Sequence, residues 1–194
     1  MLQVILDVET KTTFKEVGGY FPDKLGVSFV GVNVRERMND QGKMRSFFEH
    51  NLADLFPLLE KADVLIGYNI DDFDLPALAP YYSGEIASLP TLDLMDRIKK
   101  SFGHRIKLNV VAEETLGEGK TGDGLDAIEY YRTQQLDKLE KYCLQDVKVT
   151  RDIYDYGYKN GKVRFRNKWN RLIECSVDFS FTPNKNAGVQ MALI

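Results

Sequence analysis

Apolar positions along the first part of the chain fall in short runs separated by polar turns. Leu2 to Val8 is mostly Val, Ile and Leu, the pattern of a central strand covered on both faces. Val27 to Val34 predicts a second strand and Met44 to Phe48 a third, the latter after a turn at Asn39-Asp40-Gln41-Gly42. Together they predict a strand pair beside the first strand. Leu52, Leu55, Phe56 and Leu59 recur at helical spacing, and Val64-Leu65-Ile66-Gly67 then reads as a short buried strand, which makes a parallel crossover. A short strand near Leu92, a helix to about Ser101, and helical stretches around 107–117 and 124–132 follow. The clearest helix runs from about Leu136 to Tyr156, where Leu139, Tyr142, Cys143, Asp146, Val147, Thr150, Ile153 and Tyr154 share one stripe. Beyond Gly157, Asn160 and Gly161 break the helix. Val163 and Phe165, then Ile173, Cys175 and Val177, alternate as the strands of a terminal β-hairpin would, with a loosely held tail expected from Thr182. The predicted class is α/β, without internal repeats.

Composition narrows the function more than the fold. At 194 residues and 22.2 kDa, one domain with a substantial core is expected, and 43% hydrophobic residues exclude a disordered chain. The apolar runs fall far short of the roughly 20 residues that cross a bilayer. Asp7 and Glu9 stand where the apolar core of a secretory signal would lie, so a cytoplasmic protein with no membrane contact is expected. The two cysteines, Cys143 and Cys175, are not at CxxC spacing, which also points to a reducing compartment. The net charge of −3 hides an uneven distribution. From Tyr156 to Ile173 there are six basic residues and no acid, leaving 20 basic against 29 acidic residues elsewhere. A basic strip appended to an acidic body suits either a solvated hairpin or a track for a phosphate backbone.

Four acids occupy positions where packing alone would prefer an apolar side chain. Asp7 and Glu9, two apart at the end of a buried strand, point to one face, where like charges repel. Asp74 follows the carboxyl end of the second parallel strand, the edge at which ligand crevices form in such sheets. Asp146 lies within the core stripe of the long helix, with Tyr142 one turn earlier on the same face. Each has a purely structural alternative: a strand end in solvent, a helix N-terminal acid, a paired acid, a core tyrosine. Convergence of all four would raise their pKa values and call for divalent cations, and oxygen-only ligands suit Mg²⁺ or Mn²⁺. His50 and His104 are far from each other and from both cysteines in sequence, which disfavours zinc.

The order of these segments resembles the DEDD superfamily of 3′-5′ exonucleases, whose domain has the ribonuclease H-like fold. Ile5-Leu6-Asp7-Val8-Glu9-Thr10 resembles the first motif. Gly67-Tyr68-Asn69-Ile70-Asp71-Asp72-Phe73-Asp74-Leu75-Pro76 resembles the second as found in proofreading domains of family B DNA polymerases, which assigns the ligand to Asp74. Tyr142-Cys143-Leu144-Gln145-Asp146 resembles the YxxxD of the tyrosine subclass. Phe21-Pro22 and Leu108 to Leu116 are similar to the intervals in those domains, and the stand-alone length is similar to small predicted exonucleases, some attached to helicases.

The resemblance implies a ribonuclease H-like mixed β-sheet flanked by helices over residues 1–158, with the basic hairpin and tail of 159–194 packed on the same domain. It implies metal-dependent 3′-5′ hydrolysis of single-stranded nucleic acid, DNA ahead of RNA, by two Mg²⁺ or Mn²⁺ ions. Asp7 would bridge the ions, Glu9 and Asp146 would complete the first shell, Asp74 would help hold the second, and Tyr142 would orient water or phosphate. Thr10, Asn69 and Phe73 are candidate contacts to the terminal nucleotide. Lys162, Arg164, Arg166 and Lys168 are candidate contacts to the strand, with Phe165 or Trp169 stacking on a base. A helicase or another replication or repair protein is the candidate partner. The rivals are a catalytically silent nucleic-acid-binding or docking module and an endonuclease of the same fold.

Overall fold

The computed structural model describes residues 1–38, 40–118 and 124–182. Most of the expected turn at 39–42 is described, while Asn39 and the tail beyond 182 lie outside these residues. Five strands form one mixed sheet in the order β3-β2-β1-β4-β5, comprising β1 (Gln3–Thr10), β2 (Val27–Arg35), β3 (Lys43–Phe48), β4 (Val64–Gly67) and β5 (Thr91–Asp93). β1 pairs antiparallel with β2 and parallel with β4. Among the described residues six α-helices flank it: α1 (Phe56–Lys61), α2 (Leu75–Leu78), α3 (Leu94–Phe102), α4 (Leu108–Leu116), α5 (Gly124–Arg132) and α6 (Leu136–Asn160). This is the ribonuclease H-like architecture expected, completed by an antiparallel hairpin of β6 (Lys162–Arg166) and β7 (Leu172–Ser176).

The strand period of two sorts β1 between two cores. Val4, Leu6 and Val8 pack toward Leu55, Leu59, Leu75 and Leu78 on the side of α1 and α2. Ile5 packs on the opposite side with Ile98, Val111, Val147 and Ile153 of α3, α4 and α6. Asp7 and Glu9 continue the Ile5 face, so the alternation that buries an isoleucine also directs two acids toward α6. That helix lies close to the sheet because β2 carries Gly31, where a Cβ would come within 3.0 Å of Cys143 Sγ and 3.1 Å of Val147 Cγ2.

At its far end α6 is held by a buried network. Arg35 donates to both carboxylate oxygens of Asp155, at 2.8 and 2.5 Å, and its Nε donates to Gln3 Oε1 at 2.8 Å. Gln3 Nε2 donates in turn to the Tyr154 hydroxyl at 3.3 Å. A planar guanidinium bonded on both edges fixes the rotation of the helix as well as its distance from the sheet.

The long helix continues to Asn160, four residues beyond the sequence-based boundary. Gly157 does not end it. It is a packing glycine, because a Cβ there would lie 2.3 Å from the Phe179 ring. Termination falls to Gly161, which caps the helix in the left-handed region at φ 64°. The hairpin that follows rests on α4: Thr115 Oγ1 donates to Arg164 O at 2.8 Å, and Arg164 N donates to Thr115 Oγ1 at 2.9 Å. Among the described residues, no helix is long and apolar enough to cross a membrane.

Candidate active site

β1 ends beyond the last residue of β4, leaving part of its hydrogen-bonding edge without a strand partner. Asp74 supplies an acceptor there. Its Oδ1 accepts from Val8 N at 2.9 Å, although 66 residues separate the two. The turn that delivers Asp74 begins at Asn69, held in the left-handed region at φ 74°, and winds through a single π-turn over Ile70–Asp74. Asp93, at the end of β5, anchors this turn by accepting from Asn69 N at 3.0 Å and Asp71 N at 3.3 Å, while capping α3 through Asp96 N at 3.1 Å.

Asp7, Glu9, Tyr142 and Asp146 line one cavity of about 340 Å³. Thr10 and Phe73 also line it, as do Phe14, Leu125 and Ile128. Asp74 lies behind this wall, 2% exposed, close enough for its charge to raise the Glu9 pKa. The expected carboxylates and the tyrosine are therefore gathered from β1, the turn after β4, and α6. Asn69 is not among the cavity-lining residues; it borders a separate recess with Asp72, Asp93 and Arg105. Within the described residues, its buried Oδ1 has no hydrogen-bond partner.

Crowding of carboxylates away from water controls the electrostatics. Removal from water, followed by the charge of Asp146, pushes the Asp7 pKa up to about 7. Glu9 is raised well above the usual carboxylate range by burial, then by Asp7, Asp146 and Asp74. Asp74 is raised by burial and then by Asp7. Burial, followed by Asp146, Glu9 and Asp7, raises the Tyr142 phenol further above neutrality.

Cys143 is a neighbour that the sequence motif did not assign a role. Fully buried one residue after Tyr142, it donates through Sγ to both Asp7 O and Asp7 Oδ2 at 3.4 Å. Donor atoms of Asp7, Glu9 and Cys143 lie within 4.8 Å of one another. Burial and the two acids push the thiol pKa up, so the sulfur stays protonated and acts as a hydrogen-bond donor to Asp7. The signal available in sequence was helical spacing alone: Cys143 lies three residues before Asp146 on the inward stripe. The other cysteine, Cys175, is buried in β7, and both thiols are free.

A crowded set of carboxylate oxygens with raised pKa values is suited to a hard divalent cation, which would replace like-charge repulsion with attraction. Mg²⁺ or Mn²⁺ fits this donor chemistry. His50 and His104 are both exposed and line no part of the cavity.

The basic hairpin occupies a separate surface. Lys162 and Arg164 both pair with Glu174, at 2.9 and 2.7 Å, and Arg166 pairs with Glu114 at 2.6 Å. Phe165 is buried against Phe102, with ring centroids 4.8 Å apart, so it is a core residue and is not available to stack on a base. Trp169 is 69% exposed at the hairpin tip, with Lys168 Nζ 4.5 Å from its ring centroid.

Residues 4–158 match the family model of the RNase H superfamily. The chain belongs to that superfamily. Its RNase H-like fold is shared with the family B DNA polymerase of the hyperthermophilic archaeon Pyrobaculum calidifontis, at TM-score 0.60 and 19% identity, over 82% of this chain and 24% of the polymerase. Escherichia coli Exonuclease I, solved in complex with a 5cy-dT13 oligonucleotide, aligns at TM-score 0.49 and 13% identity, over 82% of this chain and 41% of its own. The chain thus spans less than half the length of either protein. No curated protein matches it by sequence.

Proposed function

We propose that the protein is a metal-dependent 3′-5′ exonuclease of the DEDD type, tyrosine subclass, acting on single-stranded nucleic acid, DNA ahead of RNA. The carrying observation is the arrangement of Asp7, Glu9, Tyr142 and Asp146 around one cavity, with Asp74 directly behind it. Superfamily membership and the polymerase-like fold support the same reading. Residues 1–158 would constitute the catalytic domain, with the segment from 159 seated on it. A cytoplasmic setting agrees with two free thiols, and a helicase or other replication or repair protein would supply the strand.

Asp7, Glu9, Asp74 and Asp146 would hold two Mg²⁺ or Mn²⁺ ions. When bound, such ions make water nucleophilic and neutralise the charge that develops on a leaving 3′-oxygen. In this reading Asp7 would serve both ions, Glu9 and Asp146 would help hold the one that supplies the nucleophilic water, and Asp74 would help hold the one that relieves the leaving oxygen. Burial and the neighbouring carboxylates push the Tyr142 phenol up and keep its proton in place, which suits a donor that orients the scissile phosphate or the water. Thr10 and Phe73 on the cavity wall would position the terminal sugar and base. Asn69 would act on the neighbouring turn that carries Asp74.

End-labelled DNA and RNA, single- and double-stranded, incubated with Mg²⁺ or Mn²⁺ test the proposal. The expected result is a ladder shortening from the 3′ end of single strands, lost in Asp7→Ala. Internal cuts would replace the exonuclease with an endonuclease of the same fold, and binding without cleavage would leave a silent nucleic-acid-binding module.

A further inference from the structure

The hairpin strip does not present its charge uniformly. Three of its cations, Lys162, Arg164 and Arg166, are matched by Glu174 and Glu114, whereas the five-residue tip from Asn167 to Arg171 contains no acid. Lys168 and Arg171 flank Trp169 there, and all three are exposed. The tip is built to hold this display. Asn167 Oδ1 accepts from Trp169 N at 3.0 Å and from Arg171 N at 3.1 Å, and Asn170 adopts the left-handed conformation at φ 57°. Asn167 N donates to Arg171 O at 3.0 Å, and Asn170 N to Asn167 O at 2.8 Å. An ordered turn thus offers a large exposed indole between two cations on an otherwise acidic protein.

We propose that the hairpin tip is a second nucleic-acid contact, in which Trp169 stacks on a base of a single strand while Lys168 and Arg171 meet its phosphates. The strand-face cations contribute less because Glu174 and Glu114 already neutralise them. The chemistry favours a polyanion with flat bases over an apolar protein partner: a π-face is open to any base, and the flanking cations release counterions on contact with phosphate. The tip does not line the catalytic cavity, so it engages a part of the strand away from the end held there. The idea rests on the exonuclease reading for its choice of ligand, but its readout does not depend on cleavage.

Trp169 is the only tryptophan of the chain, so its emission reports the tip alone. A cleavage-silenced Asp7→Ala chain is titrated with fluorescein-labelled oligo-dT, following label anisotropy, and with unlabelled oligo-dT, following tryptophan emission. The expected result is saturable quenching at the same midpoint as the anisotropy change. Trp169→Ala weakens binding on the order of tenfold, and Trp169→Phe restores most of the loss. Lys168→Gln and Arg171→Gln each lower the salt slope of log Kd by about one. Melting temperature controls for folding, and exposure of all three side chains predicts that it stays unchanged. Saturating anisotropy with unaltered emission, or undiminished binding by Trp169→Ala, would overturn the tip contact and leave a protein as its partner, without touching the exonuclease reading. Quenching in a protein whose wild type never cuts would sustain the tip contact and remove the exonuclease; no binding at all would overturn both.

Discussion

The carboxylate of Asp74 accepts a hydrogen bond from the backbone N–H of Val8 at 2.9 Å, so one acid of the candidate centre also completes the edge of the central strand. Asp74→Asn and Asp74→Ala therefore separate two roles. Both should abolish hydrolysis, because neither retains a carboxylate. Asparagine keeps an acceptor for the Val8 N–H and removes a buried charge, whereas alanine leaves that N–H without its partner. The alanine variant should be less stable than the asparagine variant by about 1–3 kcal/mol in urea unfolding. Equal stabilities would show that water replaces the lost acceptor.

Stability without metal should fall as pH rises from about 4 to about 7. The Asp7 pKa lies at about 7 in the folded chain and 3.8 in the reference state, so the folded state retains a proton that the unfolded state has released. More protons bound to the native state means stability that decreases with pH between these values, at a slope of up to about 1.4 kcal/mol per pH unit from this group. Below pH 4 both states are protonated and the penalty vanishes. Above pH 7 it is fully present. Urea midpoints from pH 4 to 8 in EDTA measure this, and Asp7→Asn should flatten the profile.

Divalent cations should reverse that loss. Adding Mg²⁺ or Mn²⁺ should raise the melting temperature, and by more at pH 8 than at pH 5, because the carboxylates must be deprotonated to bind. Chelation should return the protein to its lower value. A pH-independent shift, or one that survives in Asp7→Ala, would place the ions elsewhere.

Tyr142→Phe should lower the rate by about 10- to 100-fold, the scale of one lost orienting hydrogen bond to a charged group. With burial and Asp146 holding the phenol protonated, the substitution should leave the alkaline limb of the pH–rate profile in place. Disappearance of that limb would make the phenol a titrating participant.

Glu174 holds both Lys162 and Arg164 on the open face of the hairpin. Glu174→Gln should release these cations, strengthen binding to single strands and steepen its salt dependence, while leaving the melting temperature nearly where it was. Unaltered binding would show that this face takes no part in strand contact.

The sheet, the crossover and the long helix were legible because their apolar periods are unambiguous. Asp7, Glu9 and Asp146 stood out because each breaks such a period. The apolar period of the long helix fades near Tyr156, yet Asn160 and Gly161 mark its end, and only the Phe179 ring shows that Gly157 lies inside the helix as room for a neighbour. Phe165 alternates with arginines, a pattern that does not identify which side of a hairpin meets a core; Phe102 does so here. Pairing of Arg166 was equally hidden, since Glu114 lies on α4, about fifty positions earlier. Asp93 and Cys143 act through pairs of hydrogen bonds, to the turn and to Asp7, and such contacts leave no periodic trace.

The bond between Asp74 and Val8 bears on how this protein would age if its enzymatic duty ceased. Under that relaxed selection, Asp7, Glu9 and Asp146 would be early casualties, since each burdens the fold with crowded charge. Position 74 would keep an acceptor longer, as aspartate or asparagine, retained for its tie to the backbone. In descendants of this chain, a surviving acid at position 74 is thus a poor witness to nuclease action, and the trio facing α6 a better one.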